Sequence, residues 1–137
     1  MKQHLKFLKS EIEGLYTIES SLIEDERGFF SRLFCEEEFK KIGLSQPIRQ
    51  INHSFTKKKG SVRGMHFQNL PFQETKIVRC IKGKVYDVAV DIRKNSPTFL
   101  QWHSEILTAD KGNSLYIPEG FAHGFQTLTN NCELLYI

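Results

Sequence analysis

Residues 75–92 read TKIVRCIKGKVYDVAVDI, two β-type runs that meet at Lys82-Gly83. The first, 75–81, is rich in branched apolar residues. The second, 84–92, alternates, with Tyr86, Val88, Val90 and Ile92 on one face and Asp87, Ala89 and Asp91 on the other. Two such runs separated by a glycine-containing pair predict a hairpin. Outward from this stretch, turn signals recur at the spacing of an all-β sandwich or barrel. Asn95-Ser96-Pro97-Thr98 turns the chain into a run over 99–107, and residues 110–113 turn it again. Runs at 114–117, 123–128 and 133–137 supply the last strands, with Asn130-Asn131 as a tight turn. Residues 36–42 stand apart. They begin in glutamates, end in lysines and are followed by Gly43, the pattern of a short helix aligned with its own dipole and stopped by glycine. With no repeat or linker, residues 1–137 read as a single, mostly antiparallel β domain with one small helix.

Composition narrows the function classes. A chain of 137 residues can bury one core without staples, and 39% hydrophobic with 26% charged residues is ordinary for a globular protein. The net charge of +3 suits an anionic small ligand and is too mild to point to nucleic acid. No apolar run approaches a membrane span. Lysines scattered through Met1 to Lys9 speak against a secretory signal. Cys35, Cys80 and Cys132 form neither a CxxC pair nor an even set, so buried thiols in a reducing cytoplasm are expected.

Two histidine segments carry the functional signal. One is Gly60-Ser61-Val62-Arg63-Gly64-Met65-His66-Phe67-Gln68; the other, residues 112–123, reads GNSLYIPEGFAH. The second fits the later cupin pattern of Gly, five residues, Pro-x-Gly, two residues and His. The first resembles the earlier cupin pattern with Gln68 in place of its second histidine, and Glu74 falls at the wrong spacing to complete it. The fold class is therefore an all-β double-stranded β-helix, a cupin-type jelly roll with one short helix. Glycines would allow tight corners and the histidines would project into the barrel mouth. His66 and His123 are two good nitrogen ligands where a stable site usually needs three or more, so no metal is expected. A lone strand histidine is usually a core residue. His66, however, lies between Arg63 and Lys76 in sequence, and three such groups are costly to bury together without an anionic ligand.

Further motifs make the resemblance specific. Asp25-Glu26-Arg27-Gly28-Phe29-Phe30, Gln50-Ile51-Asn52-His53-Ser54, Arg63-Gly64-Met65-His66-Phe67-Gln68, Val88-Ala89-Val90-Asp91-Ile92-Arg93 with Ser96-Pro97-Thr98-Phe99, and Ile117-Pro118-Glu119-Gly120-Phe121-Ala122-His123-Gly124-Phe125 occur in order. In content and spacing they resemble the dTDP-4-dehydrorhamnose 3,5-epimerase family from about the first strand to the last residue. The resemblance implies His66 as catalytic base and Tyr136 as proton donor. It implies sugar contacts from Lys76 and His123, and substrate binding, in part through the diphosphate, from Arg27, Gln50, Asn52 and Arg63. It also implies a cytoplasmic homodimer with exchanged N-terminal strands, in which Arg27 and Phe30 help line a site, and no metal or other cofactor. Departures are specific too. Arg32 stands where the family has a substrate-binding glutamate, and Ile51 replaces a usual acidic residue. The chain resembles a short form of the family, without the C-terminal part that supplies a thymine-stacking aromatic and the aspartate paired with the histidine base. Phe30 and Phe72 are aromatics that can stack in its place.

The chemistry implied is inversion of a carbon beside the C4 ketone of a nucleotide-linked 4-keto-6-deoxy sugar for a cell-surface polysaccharide. Such a C–H is a weak acid, so the enolate needs a positive charge nearby, from Lys76 or an arginine. Imidazole titrates near neutral pH and suits the base, with Asp87, Asp91 or a neighbouring subunit as the source of its carboxylate partner. Two rival readings remain at this point: a nucleotide-sugar-binding cupin without catalysis, and a truncated, inactive epimerase.

Overall fold

The computed structural model describes residues 4–68 and 74–137; Phe72 lies outside the described residues. In chain order the elements are β1 (Leu5–Lys9), β2 (Tyr16–Ser20), β3 (Ile23–Asp25), β4 (Gly28–Phe30), α1 (Glu36–Lys40), β5 (Asn52–Thr56), β6 (Val62–His66), β7 (Lys76–Lys82), β8 (Lys84–Asp91), β9 (Trp102–Thr108), β10 (Asn113–Ile117), β11 (Phe121–Thr127) and β12 (Cys132–Tyr136). One sheet runs β1-β2-β10-β7-β12-β5 and a second runs β6-β11-β8-β9, while β3 and β4 pair only with each other. Val78, Cys80, Leu115 and Leu134 from the first sheet meet Val85, Ala89, Leu107 and Phe125 from the second in one buried core. This is the expected jelly roll.

The expected hairpin at Lys82-Gly83 is not formed. β7 lies between β10 and β12, and β8 lies between β11 and β9 in the other sheet. The reason is the corner itself. Gly83 has φ +86°, and a Cβ there would come within 2.6 Å of Thr129 Oγ1 and 2.9 Å of Cys132 Sγ. Only glycine lets the chain turn this tightly against β12 and cross from one sheet to the other. Local spacing cannot distinguish such a crossing from a hairpin.

The alternation in β8 is as read, but its inward face is the more polar one. Val85, Asp87, Ala89 and Asp91 are buried, while Tyr86, Val88 and Val90 are half-buried on the outer face. Two carboxylates are thus carried into the barrel, and each must find donors there.

The helix is shorter than the sequence pattern, five residues ending at Lys40, with the remaining turn closed by Gly43 at φ +106°. Its single buried side chain, Phe39, packs on the outer face of the six-stranded sheet with Leu5, Ile18, Ile77 and Tyr116. The Phe39 ring lies 5.2 Å from that of Phe7 and 4.9 Å from that of Phe34. Burial of that ring contributes about 3 kcal/mol, more than so short a helix could supply from its own hydrogen bonds. All three cysteines are free, and Cys80 and Cys132 are buried. Burial pushes the Cys80 thiol up to about 11, which leaves it an inert packing group.

Candidate active site

The site begins where β6 crosses β11. A Cβ at Gly64 (φ +106°) would stand 2.7 Å from both Gly124 Cα and the His123 carbonyl oxygen, so the two strands approach more closely than side chains allow. A register shift between His123 and Phe125 follows, and His66 and His123 end as direct cross-strand partners. Directly opposed residues of an antiparallel pair share a face. The two histidine segments singled out in the sequence are therefore brought together at one mouth of the barrel.

The two rings differ in surroundings. His123 is buried, and its Nε2 lies 2.7 Å from Oδ1 of the fully buried Asp87. His66 is exposed, and its ring makes no hydrogen bond among the described residues. The carboxylates expected to serve His66 go elsewhere: Asp87 to His123, and Asp91 to Arg93, Ser96 and Thr98. The expected crowding of buried cations also fails. His66 and Arg63 are exposed, only Lys76 is half-buried, and Arg63 is satisfied by Thr56 Oγ1 at 2.9 Å and the Phe55 carbonyl at 3.0 Å. Residues 55–56 at the end of the preceding strand, β5, take up that arginine, a contact that no spacing within the Arg63-Gly64-Met65-His66 motif reveals.

Tyr136 approaches from β12. Its ring stands edge-on to His123 with centroids 6.5 Å apart, and its hydroxyl is 3.1 Å from Ser54 Oγ. Burial raises the phenol above its ordinary range, and the nearby Asp87 charge acts in the same direction, against the opposing pull of Ser54 and Arg63. The hydroxyl therefore keeps its proton at neutral pH. Burial likewise raises the Asp87 carboxyl, opposed by His123 and by the charge of Lys76. One oxygen of Asp87, Oδ2, is buried without a partner among the described residues.

Lys76 joins two adjacent spaces. A cavity of about 560 Å³ is lined by Gln50, Asn52, Lys76 and Tyr136 together with Glu119 and Ile137. A small recess of about 20 Å³ is lined by Lys76, His123 and Gln68. Five of the nine sequence-derived candidates (Gln50, Asn52, Lys76, His123 and Tyr136) thus share one region, and His66 stands beside it across from His123. Arg27 and Phe30 do not join it. They sit on the exposed β3–β4 pair, where Arg27 binds Asp25 at 2.6 Å and Phe30 is 63% exposed. Arg32 pairs with Glu38 at 3.3 Å. Sequence reading assigned no role to Ser54, and assigned Asp87 only as a candidate partner for His66. In the sequence Asp87 stands on the face of β8 opposite Tyr86, Val88 and Val90, and nothing in that alternation marks its face as the inward one. Among the described residues no group of three or more His, Cys, Asp or Glu side chains is placed to hold a metal ion, and no helix is long and apolar enough to cross a membrane.

A jelly roll with histidine, tyrosine and lysine converging at one mouth is a cupin-type barrel equipped for acid–base chemistry, and its relatives are isomerases. The sequence profile of the family described as dTDP-4-dehydrorhamnose 3,5-epimerase matches residues 9–137. The enzyme of that name from Shigella flexneri is 44% identical over 133 residues, which cover 96% of this chain and 73% of the relative. The crystal structure of the enzyme from Bacillus anthracis, with TDP and PPi bound, superposes with a TM-score of 0.91 at 38% identity, covering 96% of this chain and 75% of that one. A dTDP-6-deoxy-D-glucose-3,5-epimerase from Legionella pneumophila, in complex with dTDP-4-keto-L-rhamnose, superposes with a TM-score of 0.92 at 39% identity, covering 97% and 70%. The chain belongs to the dTDP-4-dehydrorhamnose 3,5-epimerase family.

Proposed function

We propose that this chain epimerises a nucleotide-linked 4-keto-6-deoxy sugar at one or both carbons flanking the ketone. The observation that carries the reading is the convergence of His66, His123, Lys76 and Tyr136 on one barrel mouth. His66 removes the proton from C3 or C5, and the C–H electron pair moves toward the C4 oxygen to give an enolate. The Lys76 ammonium stabilises that oxygen charge. Tyr136, kept protonated by burial, returns a proton to the opposite face of the carbon. The resulting imidazolium and phenolate re-equilibrate with solvent.

Gln50 and Asn52, beside Tyr136 in the larger cavity, would hold the sugar nucleotide, with Arg63 serving the diphosphate by charge-assisted hydrogen bonds. The ligands of the Bacillus and Legionella relatives support that class of substrate. Arg27 and Phe30, standing away from the site of their own chain, fit a homodimer with exchanged N-terminal strands in which each arm completes its partner's site. The protein would work in the cytoplasm.

The test is deuterium incorporation from heavy water into dTDP-4-keto-6-deoxyglucose, followed by NMR at both flanking carbons. The wild-type chain exchanges one or both positions. His66→Ala lowers the rate by about 10²- to 10⁴-fold while dTDP still binds. Unchanged exchange in that variant removes His66 from the mechanism. A wild-type chain that binds dTDP but exchanges neither carbon is a sugar-nucleotide-binding cupin instead.

A further inference from the structure

The buried acid beneath the site has no part in the proton transfers just described, yet it is hydrogen-bonded to one of the site's histidines. Asp87 Oδ1 lies 2.7 Å from His123 Nε2, and both groups are buried. The charge of Lys76 acts on the same carboxyl, and the carboxyl in turn acts on the Tyr136 phenol. No other hydrogen bond to the His123 ring forms among the described residues, so its Nδ1 is the nitrogen available to a ligand in the recess that His123 and Lys76 line.

We propose that Asp87 is a positioning residue: it grips His123 by Nε2, fixes the ring's tautomer, and thereby presents Nδ1 to the bound sugar. The proposal rests on the epimerase reading and adds a residue to it. A neutral imidazole carries one proton, and which nitrogen holds it is set by the partner of the other. A carboxylate can only accept, so an ionised Asp87 places that proton on Nε2 and leaves Nδ1 with its lone pair. Should His123 take up a second proton as negative charge develops on the sugar, the buried carboxylate stabilises the imidazolium. An amide in its place presents both a donor and an acceptor and enforces neither state.

The geometry gives Asp87 little reason to exist for stability. It has one hydrogen-bond partner, and Oδ2 is buried without one among the described residues. An apolar residue would avoid the cost of burying that charge.

Two measurements on the full chain test this. First, nitrogen-15 spectra of the ligand-free protein read the His123 ring directly. The wild type shows one protonated and one bare ring nitrogen, assigned as Nε2–H and Nδ1. Asp87→Asn shows a mixture of tautomers. Second, Asp87→Asn lowers kcat for deuterium exchange by about 10²-fold, with KM changed by less than about threefold, because the loss falls on the chemical step. In a His123→Asn background the same replacement has no further effect, since Asp87 acts through the ring. An unaltered tautomer in Asp87→Asn, or losses that multiply in the double variant, overturns the proposal. Absence of exchange by the wild-type chain counts against the epimerase reading itself, and the ring spectrum still judges Asp87.

Discussion

Asp87 and Asp91 lie on one strand, on one face, four residues apart, and each is 0% exposed. Their surroundings are opposite. Asp91 accepts hydrogen bonds from the Arg93 backbone N–H at 3.0 Å, Arg93 Nε at 2.9 Å and Arg93 Nη2 at 3.0 Å, from Ser96 Oγ at 2.6 Å, and from Thr98 Oγ1. Although burial acts to raise it, that set of donors holds its carboxyl well below the usual carboxylate range. Asp87 has a single partner, one orphaned oxygen, and a carboxyl that burial pushes up. A buried acid with a full set of donors is part of the scaffold. One with too few is held in place for something other than stability, and here it sits under His123 and Tyr136.

The comparison can be broken first at Asp91. Asp91→Ala leaves the Arg93 guanidinium, Ser96 and Thr98 without their acceptor and frees the loop they tie down. Removing one member of a buried ion pair costs about 3–5 kcal/mol, to be read in urea unfolding at neutral pH. A loss under about 1 kcal/mol, the range of an exposed pair, would show that the donors around Asp91 are ornamental.

The same acid sets an acid-side dependence. Its carboxyl binds protons less readily in the folded state than an ordinary aspartate, whose pKa is 3.8, so the stabilisation is fully present above that pH. It is lost progressively as pH falls from about 4 toward the depressed folded value. Asp91→Asn, less stable at neutral pH, lacks that part of the acid limb, so the gap between it and the wild type narrows as pH falls. Parallel curves would place the acid sensitivity in other carboxylates.

These contrasts show what was legible in the chain. The later strands and their turn signals were readable, because period-two alternation and glycine corners are local. The arrival of both histidines at the barrel mouth was legible as a cupin-type motif; that the two segments pair directly, β6 with β11, was not. Nor was the sheet switch at Gly83. A hairpin and a crossing share the same local sequence, and only contact with Thr129 and Cys132 separates them. Nor did the sequence show which carboxylate serves which group. Asp87 and Asp91 alternate alike in β8, but Arg93, Ser96 and Thr98 follow Asp91 within seven residues, whereas the partner of Asp87 lies thirty-six residues away on β11. The places of Arg27 and Phe30 were legible only as a motif. Their side chains meet nothing of the candidate site in their own chain.

A smaller effect sharpens the Asp91 side. Thr98→Val keeps the shape and removes one donor from a carboxylate that retains four others. The cost is about 1 kcal/mol, with faster hydrogen exchange at Leu100. That amide bonds the Asp91 carbonyl at 2.7 Å and holds a non-glycine residue at φ +69°. Equal protection in the variant would mean that the backbone bond alone fixes the loop.

The smallest expected stability change is at Asp87, where burial by itself would predict a large one. Asp87→Asn preserves the volume of a side chain that is fully enclosed. It gives up a charge-assisted hydrogen bond to His123, worth about 1.5–3 kcal/mol. It also removes a carboxylate that burial destabilises and whose second oxygen has no partner, a cost of similar size. The two nearly cancel, so unfolding at neutral pH shifts by less than about 1 kcal/mol. The sign moves with pH. Because the folded carboxyl binds its proton more readily than the unfolded one, the native acid works against folding while ionised and is relieved as pH falls toward its raised value. The variant therefore compares best with the wild type at neutral and higher pH, and worst in acid. Urea unfolding across that range measures both. A neutral-pH loss as large as that of Asp91→Ala would make Asp87 a second scaffold acid and erase the distinction between the two.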